Sequence, residues 1–229
     1  MCERALLRVK QSRCEGIASG WRPRNNRRLI FCASLSSYEI SILPKIWYTT
    51  DRMLKYTTPA PLIAGQPGPD FTLLDLQGEL HSLSDYHGRV VIVYFWSAEC
   101  PTAERADHQL AGWLPGWGKQ AVVMPIASNA NEEPELLARV AFERSLPFVL
   151  RDAGQRVADA YRATTTPHFF VMNQRGALAY QGGLDDTSFR QRTPTRFYLR
   201  EAVDALLAGK VPALTETQPY GCTIVRFKA

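Results

Sequence analysis

The sequence has no apolar run longer than seven residues, Val90–Trp96, whereas a membrane-crossing helix needs about 20. No membrane span is expected. None of its five cysteines, Cys2, Cys14, Cys32, Cys100 and Cys222, lies in a CxxC pair, and the histidines at 81, 87, 108 and 168 are scattered. Without closely spaced ligands, no metal site is expected. A dense disulfide framework does not suit a chain of 229 residues that is 45% hydrophobic. Basic excess is also missing from most of the chain. Residues 1–52 hold ten Lys/Arg and four Asp/Glu, whereas residues 53–229 hold 17 and 18. The formal charge of +5 therefore sits in the first segment. Nucleic-acid binding, which requires a basic patch on the folded domain, is not expected.

Residues 1–57 are rich in Arg and Ser and show no apolar period. They are read as a basic, poorly ordered extension. The run "RRLIFCASLSS" only faintly resembles a signal segment. The cytoplasm is therefore the expected compartment, with periplasmic or secreted placement as the alternative. The folded body is read over 58–212, and a tail carrying Cys222 over 213–229. After a proline-rich lead-in, "FTLLDLQGELHSL" reads as two short strands around a turn at Gln77 and Gly78. A helical turn ends at Gly88. A buried strand follows at 90–96, a helix from 101 to about 114, a strand at 120–128 and a helix capped by Asn131. A short strand, a short helix, a hairpin turning at Asn173 and Gly176, and an amphipathic helix ending at Gly209 complete the order. Strands alternating with helices in this way indicate an α/β fold, a mixed central sheet with helices on both faces.

The most informative stretch is "VVIVYFWSAECPTAE". Seven continuous apolar residues mark a strand covered on both faces. Pro101 suits the first turn of a helix, where its missing N–H costs nothing. Cys100 thus falls at a helix N-terminus, where the helix dipole favours a thiolate. The competing reading is a packed structural cysteine. Thr102 either hydrogen-bonds the sulfur or satisfies the helix start. Trp96 and Phe95 read as core, with Trp96 bordering the site. Ser97, Glu99, Asp185 and Asp186 read as loop residues facing solvent.

Four motifs carry a resemblance to the thioredoxin fold, and within it to the redoxins that include AhpC/TSA peroxiredoxins and TlpA-like proteins. The first is "PGPDFTLLDLQGELHSLSDYHGRVVIVYFW", which resembles the redoxin N-terminal hairpin and first core strand. In the second, "FWSAECPTAE", Cys100 falls on the nucleophilic cysteine. In the third, "TTTPHFFVMNQRGALAYQGG", Thr166 and Pro167 match the cis-proline loop beside that cysteine. The fourth, "GCTI" around Cys222, is similar to the ending of a subgroup of single-domain redoxins. The resemblance covers about residues 60–212 and the tail motif. It implies catalysis at Cys100 with Thr102, and a substrate groove formed by Trp96, Pro101, Thr166 and Pro167. His168, next to the proline, either modulates the thiolate or faces solvent.

Three positions depart from the family patterns. Ala103 stands where a dithiol reductase carries its second cysteine, and Tyr94 where many such proteins carry a buried acid. Val93 stands where peroxiredoxins carry a proline. By elimination, Cys222 is the expected resolving thiol; the alternative is a packed passenger in a docked tail. The expected activity is a cofactor-free thiol-dependent oxidoreductase acting on protein disulfides or hydroperoxides and regenerated by an external thiol. A thiol peroxidase and a non-catalytic peptide-binding module are the alternatives. A homodimer, with Cys222 reaching a second subunit, is left open.

Overall fold

The computed structural model describes residues 60–227. The extension read over residues 1–57, with Cys2, Cys14 and Cys32, lies outside the described residues. The described residues form nine strands and four α-helices. A hairpin, β1 (Thr72–Leu74) and β2 (Leu80–Ser82), precedes β3 (Val90–Trp96), α1 (Pro101–Trp117), β4 (Ala121–Ala127) and α2 (Pro134–Glu143). Then come β5 (Leu150–Arg151), α3 (Arg156–Ala160), β6 (Thr165–Thr166), β7 (His168–Met172), β8 (Leu178–Gly182), α4 (Tyr198–Leu207) and β9 (Cys222–Thr223).

The central sheet runs β5-β4-β3-β7-β8. β3 pairs parallel to β4 and antiparallel to β7, so the sheet is mixed. All seven residues of β3 are buried, because the strand is central and covered on both faces, as its unbroken apolar run requires. Alternation divides its side chains. Tyr94 and Trp96 join Cys100, Phe169, Tyr180 and residues of α1, α2 and α4 on one face. Val93 and Phe95 join Phe170, Tyr161, Val157 of α3 and Ile224 of the tail on the other. This is the thioredoxin-like layering, with the β1–β2 hairpin turning at Gly78, whose φ of +91° favours glycine.

Two element ends differ from the sequence reading. α1 runs past the expected end at about 114, through Pro115 to Trp117, and carries that proline in its last turn. α2 starts at Pro134 with Glu133 as its N-cap, so Asn131 is not the cap. Instead the Asn131 amide donates to Glu99, 3.3 Å away. In the amphipathic helix α4, Leu199, Ala202, Val203 and Leu206 are buried.

His168 is neither at the surface nor beside the sulfur. It is 8% exposed, shares strand parity with Phe170, and stacks on that ring with centroids 4.4 Å apart. Its side chain therefore lies on the face opposite the Cys100 cluster. Burial lowers its pKa to about 4, and its Nδ1 has no hydrogen-bond partner. The imidazole is neutral in the folded state. The unfolded chain, with a histidine pKa near 6.5, takes up the proton first. Stability should therefore fall as pH drops from about 6.5 towards 4, by up to about 3 kcal/mol from this residue. Urea unfolding of the wild type and of His168→Phe at pH 7 and pH 4.5 checks this. The wild type should lose more stability than the variant; equal losses would contradict the assignment.

Candidate active site

α1 begins where the sequence places it. Cys100 is its N-cap in extended backbone (φ −90°, ψ 115°), and Pro101 opens the first turn. The Cys100 sulfur lies under the helix N-terminus, and the residue is only 2% exposed. Around it three groups converge. The Thr102 Oγ1 is 2.8 Å away, the Thr166 carbonyl oxygen 2.9 Å, and the Cys222 sulfur 2.8 Å. The Thr102 hydroxyl also reaches the Thr166 carbonyl, at 3.3 Å. The Thr166–Pro167 peptide bond is cis.

Cys222 reaches this position because the tail folds back as a strand. β9 pairs antiparallel with β6, with Thr166 opposite Cys222 and Thr165 opposite Thr223. The approach is close. A Cβ added to Gly221 would lie 2.2 Å from the Thr166 carbonyl oxygen and 2.7 Å from its carbon, so only glycine fits without moving backbone. Beyond the pair, the Ile224 N–H donates to the Thr164 carbonyl at 3.0 Å. The Val225 backbone is held from both sides: its N–H donates to Asn129 Oδ1 at 2.9 Å, and its carbonyl accepts from Gln155 Nε2 at 2.8 Å. Arg226 donates to Asp159 and to the Ala163 carbonyl, each at 2.7 Å. Ile224 is 3% exposed and anchors the segment; burying such a side chain contributes about 2 kcal/mol. Val225 and Phe227 stay exposed.

The two sulfurs differ in acidity. Burial opposes ionisation of Cys100, but hydrogen bonds from the Cys222 thiol, the Thr102 hydroxyl and the Ala103 backbone hold its pKa below the ordinary thiol value. The Thr166 carbonyl can only accept, so it favours the protonated thiol and acts against these donors. Cys222 is pushed up to about 11, by partial burial and by its interaction with the Cys100 sulfur. The pair therefore ionises at Cys100 first, and Cys222 keeps its proton.

Pro101 is exposed at the mouth of the site, while Thr166 and Pro167 are buried beneath the tail strand. Trp96 is 0% exposed and supports the site from below; it does not line a groove. Its indole donates to Asp107 Oδ2 at 2.9 Å. Arg144 donates to the same oxygen at 3.1 Å and to the Ala98 carbonyl at 2.8 Å, pinning the loop before Cys100. Asp107 keeps one oxygen without a partner, and burial, only partly offset by the Trp96 and Arg144 bonds, raises its pKa. Ser97 is 2% exposed, not solvent-facing: its hydroxyl donates to Glu132 at 2.7 Å, and the Glu99 N–H donates to the same carboxylate at 3.0 Å. Asp185 is likewise buried, in a two-point contact with Arg105 at 2.6 and 3.3 Å. The sequence offers no local signal for Asp107, Glu132 or Arg144, because the partners that tie them to the site lie 11 to 47 residues away. Among the described residues there is no cluster of three or more metal-ligating side chains, and no helix is long and apolar enough to cross a membrane.

Comparisons with known proteins agree with this fold. The AhpC/TSA family profile matches residues 64–181. The thiol-disulfide oxidoreductase ResA of Halalkalibacterium halodurans is 35% identical over 128 residues, covering 54% of this chain and 71% of that protein. ResA of Geobacillus kaustophilus is 33% identical over 126 residues, with the same coverage. Among solved structures, an uncharacterized conserved protein of G. kaustophilus superposes with a TM-score of 0.68 at 28% identity, covering 73% of this chain and 94% of that one. A hypothetical protein of Sinorhizobium meliloti gives 0.67 at 31% identity, covering 74% and 98%. The chain belongs to the AhpC/TSA family, as an oxidoreductase of the TlpA-like, thioredoxin-fold redoxin kind.

Proposed function

We propose that the protein is a thiol–disulfide oxidoreductase whose redox pair is Cys100 and Cys222 of the same chain. The observation that carries this reading is the 2.8 Å separation of the two sulfurs; a disulfide bond is about 2.05 Å. The relatives named as thiol-disulfide oxidoreductases support the reaction class.

In the proposed cycle the Cys100 thiolate attacks one sulfur of a substrate disulfide, and the other substrate sulfur leaves as a thiolate. Cys222 then attacks the Cys100 sulfur of the mixed disulfide. Its proton passes to the departing second thiolate, and the Cys100–Cys222 bond forms. The substrate is reduced and the pair oxidised. Thr102 holds the attacking sulfur through its hydroxyl, and Pro101 borders the approach. Because Cys100 is buried, a protein substrate meets it only when β9 lifts, which frees the Thr166 edge for an incoming strand. An external thiol restores the pair. The cycle is completed within one chain and needs no second copy, cofactor or metal. We place it in the cytoplasm, where small thiols keep such pairs reduced. Hydroperoxides are the second substrate class: attack on peroxide oxygen gives a Cys100 sulfenic acid and an alcohol or water, and condensation with Cys222 gives the same disulfide and water.

Three outcomes check this reading. Cys100→Ser should abolish disulfide reduction, whereas Cys222→Ser should stop after one turnover with substrate attached to Cys100, detected by intact mass. Full turnover by Cys222→Ser would contradict the pair. In an alkylation-rate titration, Cys100 should react with an apparent pKa below the ordinary value of about 8.5. That pKa should move upward in Cys222→Ala, which removes a donor to the thiolate. An unmoved profile would show that Cys222 does not act on Cys100. Finally, Gly221→Ala should displace β9 and speed alkylation of Cys100 while slowing disulfide closure; unchanged rates would contradict the docked tail.

A further inference from the structure

The two sulfurs are not equally accessible. Cys100 is buried, and Cys222 is exposed. The pairing of β9 with β6 also covers the Thr166 edge, and the tail just beyond β9 is fastened at Val225 by Gln155 and Asn129 and at Arg226 by Asp159. Joining sulfurs already 2.8 Å apart requires no rearrangement of this segment, so the oxidised pair keeps Cys222 outward and Cys100 beneath it. The geometry points to Cys222 as the sulfur that receives the reductant: a low-molecular-weight thiolate attacks the Cys222 side of the bond, and Cys100 is the leaving sulfur. The inference rests on the Cys100–Cys222 pair proposed above and assigns its regeneration.

The exchange balances. The incoming thiolate forms a bond to the Cys222 sulfur, the Cys100–Cys222 bond breaks, and its electron pair leaves on Cys100. A second thiolate attacks the sulfur of the bound small thiol, releasing the small disulfide. Cys222 departs from that bond and takes up a proton. Two small thiols are oxidised and one protein disulfide is reduced. The acidities act in the same direction. A lower-pKa thiol leaves faster, and of the two sulfurs Cys100 is the more acidic, held by the Thr102 hydroxyl and the helix N-terminus. Regeneration thus proceeds with the tail in place, whereas a protein substrate requires the tail to lift. The two halves of the cycle use opposite ends of the same bond.

The test uses the full chain, oxidised and peptide-mapped to establish a Cys100–Cys222 bond, then mixed briefly with reduced glutathione, quenched in acid and alkylated. Mass spectrometry should find glutathione on Cys222 and the alkyl label on Cys100; glutathione on Cys100 would overturn the inference. Because Cys100 can reclose the bond, the reduction rate gives a second readout. Thr102→Val removes a donor to the departing sulfur. Reduction of its disulfide by glutathione should slow as the Cys100 pKa rises. A pKa that rises with no change in rate would show that Cys100 is not the leaving group. If mapping finds no Cys100–Cys222 peptide, the proposed pair itself fails; if the bond forms but glutathione lands on Cys100, only the direction of attack fails.

Discussion

The backbone of Thr166 sets the dimensions of the active site. Its carbonyl oxygen lies 2.9 Å from the Cys100 sulfur, and its strand partner across β6–β9 is Cys222. One peptide unit therefore positions both sulfurs, one through a direct contact and the other through sheet register. Gly221 makes the second contact possible, since any side chain there would occupy the position of the Thr166 carbonyl. The rest of the tail serves that register. The bonds from Asn129, Gln155 and Arg226 and the burial of Ile224 hold β9 against β6.

In the proposed cycle, holding the second thiol on a tail strand, instead of one helical turn from the first, changes how the two sulfurs divide the chemistry. Cys100 has the helix N-terminus and Thr102 and is the more acidic of the two. Cys222 is pushed up by partial burial and by the Cys100 sulfur, keeps its proton and stays in contact with solvent. Beneath them, Arg144 links the Ala98 carbonyl to Asp107, and Asp107 links Arg144 to Trp96. The loop that delivers Cys100 to the helix start is thus fixed from below by a charged group and from the side by Glu132. Truncating one partner of such a buried network leaves the others unsatisfied, at a cost of about 1–3 kcal/mol for each polar group.

The parts of this arrangement that were legible in the sequence are the local ones. Val90 to Trp96 announces a central strand because both of its faces are apolar, and Cys100 with Pro101 announces a helix start because proline is favoured in the first turn. The hairpin turn at Asn173 is equally local: its side chain accepts from the N–H groups of Arg175 and Ala177. What sequence could not show is set by partners far along the chain. Ser97 and Asp185 read as exposed polar residues, and His168 as either exposed or beside the thiolate, yet each is buried. Ser97 and Asp185 are buried because Glu132 and Arg105 come to meet them. His168 is buried because Phe170 and the second core enclose it. Trp96 follows the same logic: its apolar bulk is legible, but its role as a donor to Asp107 depends on a residue of α1 facing inward. The "GCTI" motif signals the tail but not its path, which depends on a strand pairing between residues 166 and 222.

The account depends on Cys100 and Cys222 forming one reversible bond within a chain. Equilibration of the full-length protein in glutathione redox buffers, followed by acid quenching, alkylation and non-reducing peptide mapping, measures this directly. The account predicts a single intrachain Cys100–Cys222 peptide whose abundance follows the buffer potential as a two-electron couple. A Cys100 that stays free or reaches the sulfinic state while Cys222 remains an unmodified thiol would contradict it.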